Sequence, residues 1–262
     1  MQKSVLNGDY LRYYFRATTY YRVHSPMAYE FAQAILEDNR NFYAFEQLKS
    51  LQKLALKDQR SIALTHADQK ENPTIGTIQQ IAKQNTVKSY YYKLLFRIIH
   101  YYKPAFIVEL GTSLGLSTMY AAAAALDRNI YTIEKEPAIA NAAKQHFNLL
   151  RFKNIETFVG DYHQVFDNEL FVEKNIDALI ISPQVDLTLE TLEKYMGQLT
   201  ASSWVIVVGI ADKAKKKIWN AVQEHPKITL SIAVYELGIA FCNHKVIEKQ
   251  HLTLIATSKR AW

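Results

Sequence analysis

A chain of 262 residues, 49% of them hydrophobic, can bury a sizeable core, as one α/β domain with an extension or as two small domains. It has one cysteine, Cys242, no low-complexity tract, no repeat, no apolar leader in MQKSVLNGDYLRYYF and no run of roughly 18 apolar residues. This argues against a disulfide-framed, secreted or membrane-spanning protein, and a cytoplasmic location is expected. The net charge of +6 is unevenly placed: residues 1–100 carry 14 Lys+Arg against 8 Asp+Glu, and residues 101–262 carry 17 of each. The basic, tyrosine-rich N-terminal part is read as a solvated helical surface, with an acidic partner as the alternative.

Helical patterns come first along the chain. YLRYYFRATTYYRV (10–23) and MAYEFAQAILED (27–38) are separated at His24–Ser25–Pro26, where proline disfavours helix at Ser25. FYAFEQLKSLQKLAL (42–56) has apolar residues at helical spacing, HADQKENPTIG (66–76) reads as a loop, and TIQQIAKQN (77–85) and SYYYKLLFRIIHYY (89–102) read as helices. From Pro104 strands and helices alternate. The strands are AFIVEL (105–110), NIYTIE (129–134), NIETFVG (154–160), DALIIS (177–182) and SWVIVVG (203–209). Helices at 116–126, 137–150, 187–199 and 213–225 separate them, with a shorter one after the third strand. KITLSIAVYELGIAFCN (227–243) reads as two strands with a tight turn near Gly238, and HLTLIAT (251–257) is a further candidate strand. The expected fold class is α/β: a doubly wound, mostly parallel, seven-stranded Rossmann-like sheet with an antiparallel edge hairpin. The expected division is an N-terminal helical lid or extension over 1–88 and a Rossmann-like domain over 89–262.

The stretch FIVELGTSLGLST (106–118) is the most informative. It is a buried strand, then an acid, then a loop with Gly111 and Gly115 opening a helix. The spacing matches neither a P-loop nor G-x-G-x-x-G, which argues against a phosphate. Glu109 would repel an anion and attract a cation, while helix amides near Leu116 and Ser117 would attract an anion. A short chain carrying both an ammonium and a carboxylate, such as the amino-acid end of methionine, satisfies both. Glu134 ends the next strand about 20 residues on, where an acid can accept both hydroxyls of a ribose. Asp161 and Tyr162 end the third strand, where they would meet an adenine amino group and ring; Asp161 reads equally well as a helix N-cap.

These strand ends together resemble the class I S-adenosylmethionine-dependent methyltransferases, over roughly residues 90–256. IVELGTSLGLST is similar to their first motif and YTIEKEP to their second. The nearest branch is the catechol and caffeoyl-CoA type O-methyltransferases. The resemblance implies S-adenosylmethionine as cofactor, with Glu109, Gly111, Thr112, Ser113, Gly115 and Ser117 around its methionine end and Glu134 at the ribose. It also marks departures. Ser182 stands where that branch ends its fourth strand in a metal-binding aspartate, and Val208 and Gly209 stand where the fifth strand supplies further ligands. A hard divalent cation needs oxygen ligands, so no metal site is expected; Asp186 and Asp212 lie past the strand ends. Tyr92 replaces a glycine and would narrow the cofactor mouth or stack.

Three functions are carried forward. The first is a metal-independent methyltransferase acting on a small, aromatic acceptor under a lid containing Tyr13, Tyr14, Phe15, Tyr20 and Tyr21. The catalytic residue is unassigned; His24, His66 and His163 are candidate bases. The second is a non-catalytic relative that binds the cofactor and serves as an interaction protein. The third, a nucleic-acid methyltransferase or binder using YLRYYFRATTYYR, is the least favoured, and Lys215–Lys217 is read as a solvated helix face. A homodimer is compatible with the sequence, and no membrane partner is expected.

Overall fold

The computed structural model describes residues 8–65, 74–183, 185–242 and 248–260. The N-terminal part runs α1 (Gly8–Arg16), a 3₁₀ turn (Tyr20–Arg22), α2 (Pro26–Phe31) continuing into a π-helical turn (Ala32–Leu36), and α3 (Tyr43–Ala55). A two-stranded antiparallel hairpin, β1 (Ser61–Leu64) and β2 (Thr74–Thr77), precedes α4 (Ile78–Asn85) and α5 (Ser89–Tyr102). β2 lies partly in a stretch expected as loop. Its pairing with β1 across a long insertion has no periodic signal in the sequence.

The alternating part follows as β3 (Ile107–Leu110), α6 (Leu116–Ala124), β4 (Ile130–Glu134), α7 (Pro137–Leu149), β5 (Ile155–Val159), α8 (Tyr162–Phe166), α9 (Glu169–Val172), β6 (Ile176–Ile181), α10 (Leu189–Gly197), β7 (Leu199–Val208), α11 (Lys213–Glu224), β8 (Leu230–Val234), β9 (Leu237–Phe241) and β10 (Gln250–Thr253). The main sheet has the order β10-β8-β9-β7-β6-β3-β4-β5. Only β9 runs antiparallel to its neighbours β7 and β8. The expected mostly parallel sheet with an antiparallel hairpin is therefore present, with eight strands rather than seven. The additional strand is β10, which pairs in parallel with β8 and draws the C-terminal segment back to the sheet edge.

The buried strands explain both faces of the sheet. Ile107, Ala178, Trp204 and Ile206 pack on one face with α5, α6 and the N-terminal residues Ala28, Phe31 and Ile35. Val108, Leu110, Leu179, Val205 and Val207 pack on the other with α8, α10 and α11. Alternating residues on a strand point to opposite faces, so Glu109 shares the α6 side with Ile107. Cys242 is buried, and burial pushes its thiol up to about 11, as suits a core residue.

The N-terminal segment is stitched to the sheet edge. Thr18 N–H donates to Thr253 O at 2.9 Å and Ile255 N–H to Thr18 O at 3.0 Å. Tyr13 Oη donates to Leu254 O at 2.6 Å, and Arg260 donates to the carbonyl of Ala17. No helix among the described residues is long and apolar enough to cross a membrane.

Candidate functional site

The chain passes from β3 through β4 to β5 on one side, then returns to place β6 on the other side of β3. The topological switch point therefore lies between β3 and β6, where open α/β sheets bind ligands outside the strands' carboxyl ends. The glycine loop occupies that position. Gly111 has φ +87° and Gly115, the N-cap of α6, has φ +80°. A Cβ on Gly115 would also overlap the Phe147 ring of α7. Left-handed backbone costs an L-residue roughly 1–2 kcal/mol and overpacking about 1–3 kcal/mol. Gly115→Ala is thus expected to lower unfolding free energy by about 2–5 kcal/mol, read as a fall in the urea midpoint at unchanged m-value.

Glu109 is fully buried, and its carboxylate is turned into a set of hydroxyls. Oε1 accepts from Ser182 Oγ at 2.9 Å, and Oε2 accepts from Thr118 Oγ1 at 2.5 Å and Thr132 Oγ1 at 2.9 Å. Ser117 Oγ lies 3.1 Å from Ser182 Oγ, and Thr112 Oγ1 lies 2.7 Å from Thr132 Oγ1. Burial raises the carboxyl above its ordinary range, and the hydroxyls oppose it. The network joins β3, β4, the end of β6 and the first turn of α6.

Glu134 is positioned by the end of β4. Its Oε2 accepts the Ser113 amide at 2.8 Å and its Oε1 the Glu136 amide at 3.1 Å. Burial raises it, and those amides pull the other way. Ser113 has φ +48°, and its Oγ accepts from Asn85 Nδ2 at 2.9 Å. Asp161 caps α8 by accepting the His163 amide at 2.8 Å and pairs with Lys135 at 3.0 Å. Burial raises the Asp161 carboxyl, but Lys135 and the α8 amides outweigh it and hold the group below its usual value. Tyr162 is buried beside it, with Lys135 Nζ 4.8 Å from its ring centroid. Tyr92 stacks on Tyr120 at 5.5 Å and accepts the Val87 amide at 3.3 Å.

The structure thus gathers Glu109, Gly111, Thr112, Ser113, Gly115, Ser117 and Ser182 around the end of β3, with Glu134, Asp161 and Tyr162 along the ends of β4 and β5. His24 is exposed before α2, His163 lies 3.3 Å from Thr191 against α10, and His66 lies outside the described residues. Ser182 and Val208 are buried, while Asp186 and Asp212 are exposed and Asp212 caps α11.

Two spaces adjoin the loop. A pocket of about 10 Å³ lies between Ser113, Ser117, Ser182, Tyr92 and Asn85. Next to it, across Thr86 and Pro183, opens a cavity of about 530 Å³. Val185, which lines the larger cavity, covers Gly111, since a Cβ on Gly111 would overlap Val185 Cγ2. The larger cavity is walled by residues 84–87, the loop after β6, the start of α11 and the tip of the β8–β9 hairpin.

Two lining residues depart from the sequence-based expectation: Glu236 is not singled out by the sequence, and Lys215, expected on a solvated helix face, is buried. Glu236 sits with Tyr235 at the hairpin tip between β8 and β9, whereas the turn is expected near Gly238, which lies inside β9. Its carbonyl accepts the Gly209 amide at 2.6 Å, fixing the tip over the end of β7. Its Oε2 is buried without a hydrogen-bond partner among the described residues. Burial raises its carboxyl, opposed by the Lys88 amide and charge. Lys215 is buried as well; burial lowers it to about 8, and its Nζ donates to Val185 O at 2.9 Å. The helical spacing Lys215, Ile218, Trp219, Val222 carried the signal that separates it from exposed Lys216 and Lys217.

No protein-family model matches the chain. Among curated proteins, a protein-L-isoaspartate O-methyltransferase of Petrotoga mobilis is 31% identical over 99 residues, which are 38% of this chain and 44% of that relative. The match therefore spans under half of the relative's length. An O-methyltransferase from Bacillus cereus, solved in complex with SAH (S-adenosylhomocysteine), superposes with a TM-score of 0.55 at 12% identity, covering 78% of this chain and 92% of that one. The O-methyltransferase TomG from Streptomyces achromogenes, solved with SAM (S-adenosylmethionine), superposes with a TM-score of 0.53 at 14% identity, covering 78% and 91%. The chain shares the Rossmann-like α/β fold of these two structures. In this fold, the glycine loop, the two strand-end acids and the larger cavity all lie at the carboxyl ends of the parallel strands.

Proposed function

We propose that the protein is an S-adenosylmethionine-dependent methyltransferase that acts, without a metal, on a small acceptor held in the 530 Å³ cavity. The observation that carries this reading is Glu134, whose buried carboxylate accepts the loop amide of Ser113, a residue of the small pocket next to that cavity. The donor set fits the cofactor. A carboxylate at the end of β4 matches a vicinal diol, and the first amides of α6 match a carboxylate. Tyr162 offers an apolar face near the Asp161 acceptor. The Val185 side chain has to turn away from Gly111 for a ligand to lie on the loop.

Bound S-adenosylmethionine supplies a methyl group on an already activated sulfonium. The protein's task is then alignment, water exclusion and proton removal. The cavity provides apolar walls in Val87, Val185, Leu187 and Ile218. Glu236 Oε2 is the acceptor for the proton lost by the substrate hydroxyl. Glu109 works through its hydroxyl partners, keeping Ser117 and Ser182 fixed beneath the loop. Metal independence is inferred from the ends of β6 and β7: Ser182 is spent on Glu109, and Val208 is buried against the core.

A second reading, a non-catalytic interaction protein, draws on Val185 over Gly111 and on the small space beside the loop. Calorimetric titration of S-adenosylmethionine and S-adenosylhomocysteine, with and without Mg²⁺, separates the two. Micromolar binding indifferent to Mg²⁺ is expected; no binding of either ligand would leave only the second reading.

A further inference from the structure

A second cavity, of about 450 Å³, lies beside the first and is also lined by Ala211 and Tyr235. It is bounded by α1 on one side, α11 on the other, and β8 and β10 beneath. Its position follows from how α1 is held: Tyr10 meets the Tyr235 ring edge-on at 5.0 Å and Tyr13 lies 5.4 Å from it, and the face of α1 that carries Asp9, Arg12, Tyr13 and Arg16 lines the cavity.

The charged groups on that face are cationic by two to one. Arg12 and Arg16, four residues apart on α1, line the cavity together with Asp9, and Lys216 of α11 lines it from across. Arg12 is 3.8 Å from Asp9, both more than half exposed, which is a weak pair. Neither Arg16 nor Lys216 is ion-paired among the described residues. Two elements thus bring like charges to one concave space that also presents the Trp219 ring. Paired guanidinium forks facing an ammonium suit a tetrahedral oxyanion with several acceptor oxygens, and an apolar wall suits the group that carries it. Lys215, on the same helix, is turned to the neighbouring cavity instead, so α11 serves both spaces with successive residues.

We propose that this cavity is an anion-binding site for a phosphate group on the methyl acceptor, whose reacting end lies past Tyr235 in the larger cavity. The acceptor assignment rests on the methyltransferase reading; the anion site does not.

The test is calorimetric titration of inorganic pyrophosphate into the full chain without cofactor. The wild type is compared with an Arg12→Gln/Arg16→Gln double variant, with Lys216→Gln, and with Lys53→Gln on exposed α3 as control. One saturable site per chain is expected, weakened about tenfold or more in the double variant and in Lys216→Gln and unchanged in the control. All three variants alter exposed side chains, and a thermal melt of each checks the fold. Absence of saturable binding, or equal affinity in all four proteins, would overturn the proposal. S-adenosylhomocysteine is titrated into the same samples. If it binds while pyrophosphate does not, the anion site is lost and methyl transfer stands. If pyrophosphate binds as expected and S-adenosylhomocysteine does not, the anion site stands and its role for a methyl acceptor is overturned.

Discussion

Glu236→Gln is expected to lower kcat by about 10²–10⁴-fold with an accepted substrate, the usual contribution of a positioned general base. The substitution keeps the shape of the side chain and the backbone contacts of the hairpin tip, including the Gly209 amide on the Glu236 carbonyl. It removes only the ability to take a proton. The pH profile gives an independent sign. Burial raises the Glu236 carboxyl, so the acid limb of kcat/KM is expected above the ordinary glutamate range and absent from the variant. Stability moves the other way. A carboxyl raised by folding favours the fold below its unfolded pKa, and that contribution is lost as pH rises through the folded value. At pH 8 the neutral variant is therefore expected to be at least as stable as the wild type in urea. A variant that loses activity and stability together at pH 8 would count against Glu236 as the base.

Glu134→Ala is expected to weaken S-adenosylhomocysteine binding by about two orders of magnitude. A hydrogen bond to a charged group is worth roughly 1.5–3 kcal/mol, and two ribose hydroxyls would share this carboxylate. Part of the loss comes through the protein itself, because the same group accepts the Ser113 and Glu136 amides. Glu134→Gln separates the two contributions. Its carbonyl oxygen can still accept one amide, so it is expected to bind tighter than the alanine variant while remaining weaker than the wild type. Equal affinity of wild type and Glu134→Ala would remove the ribose assignment.

Much of the fold was legible because the strands are apolar on both faces and the helices between them are amphipathic. β3, β4 and β6 announce themselves through runs such as IVEL and ALII. β1 and β2 do not, since SIAL and TIGT are not continuous apolar runs, and they pack against α7 and α4. The site divides in the same way. Gly111, Gly115 and Glu134 carry local signals, a positive-φ turn and an acid closing a strand. Asn85 and Glu236 carry none of that kind, because Asn85 reaches the loop and Glu236 the cavity from remote parts of the chain, and Lys215 is marked only by the helical spacing it shares with Ile218 and Val222. Glu109 shows the limit of reading charge from sequence. Its position at the switch point was legible, but its hydroxyl partners come from Thr118, Thr132 and Ser182, up to 73 residues away, and only the fold shows that they surround it.

The stitching of residues 13–18 to residues 253–260 bears on the order in which the molecule is made. Tyr13 and Leu254 are separated by 241 positions, so their hydrogen bond cannot form on the ribosome until nearly the whole described chain has emerged. The pairings from β3 to β7 all lie within the middle of the chain, whereas α1 must wait for β10. The α1 wall of the basic cavity is in that way the last part of the architecture to be completed, and a nascent chain halted before β10 would carry the glycine loop without the surface proposed to read its acceptor.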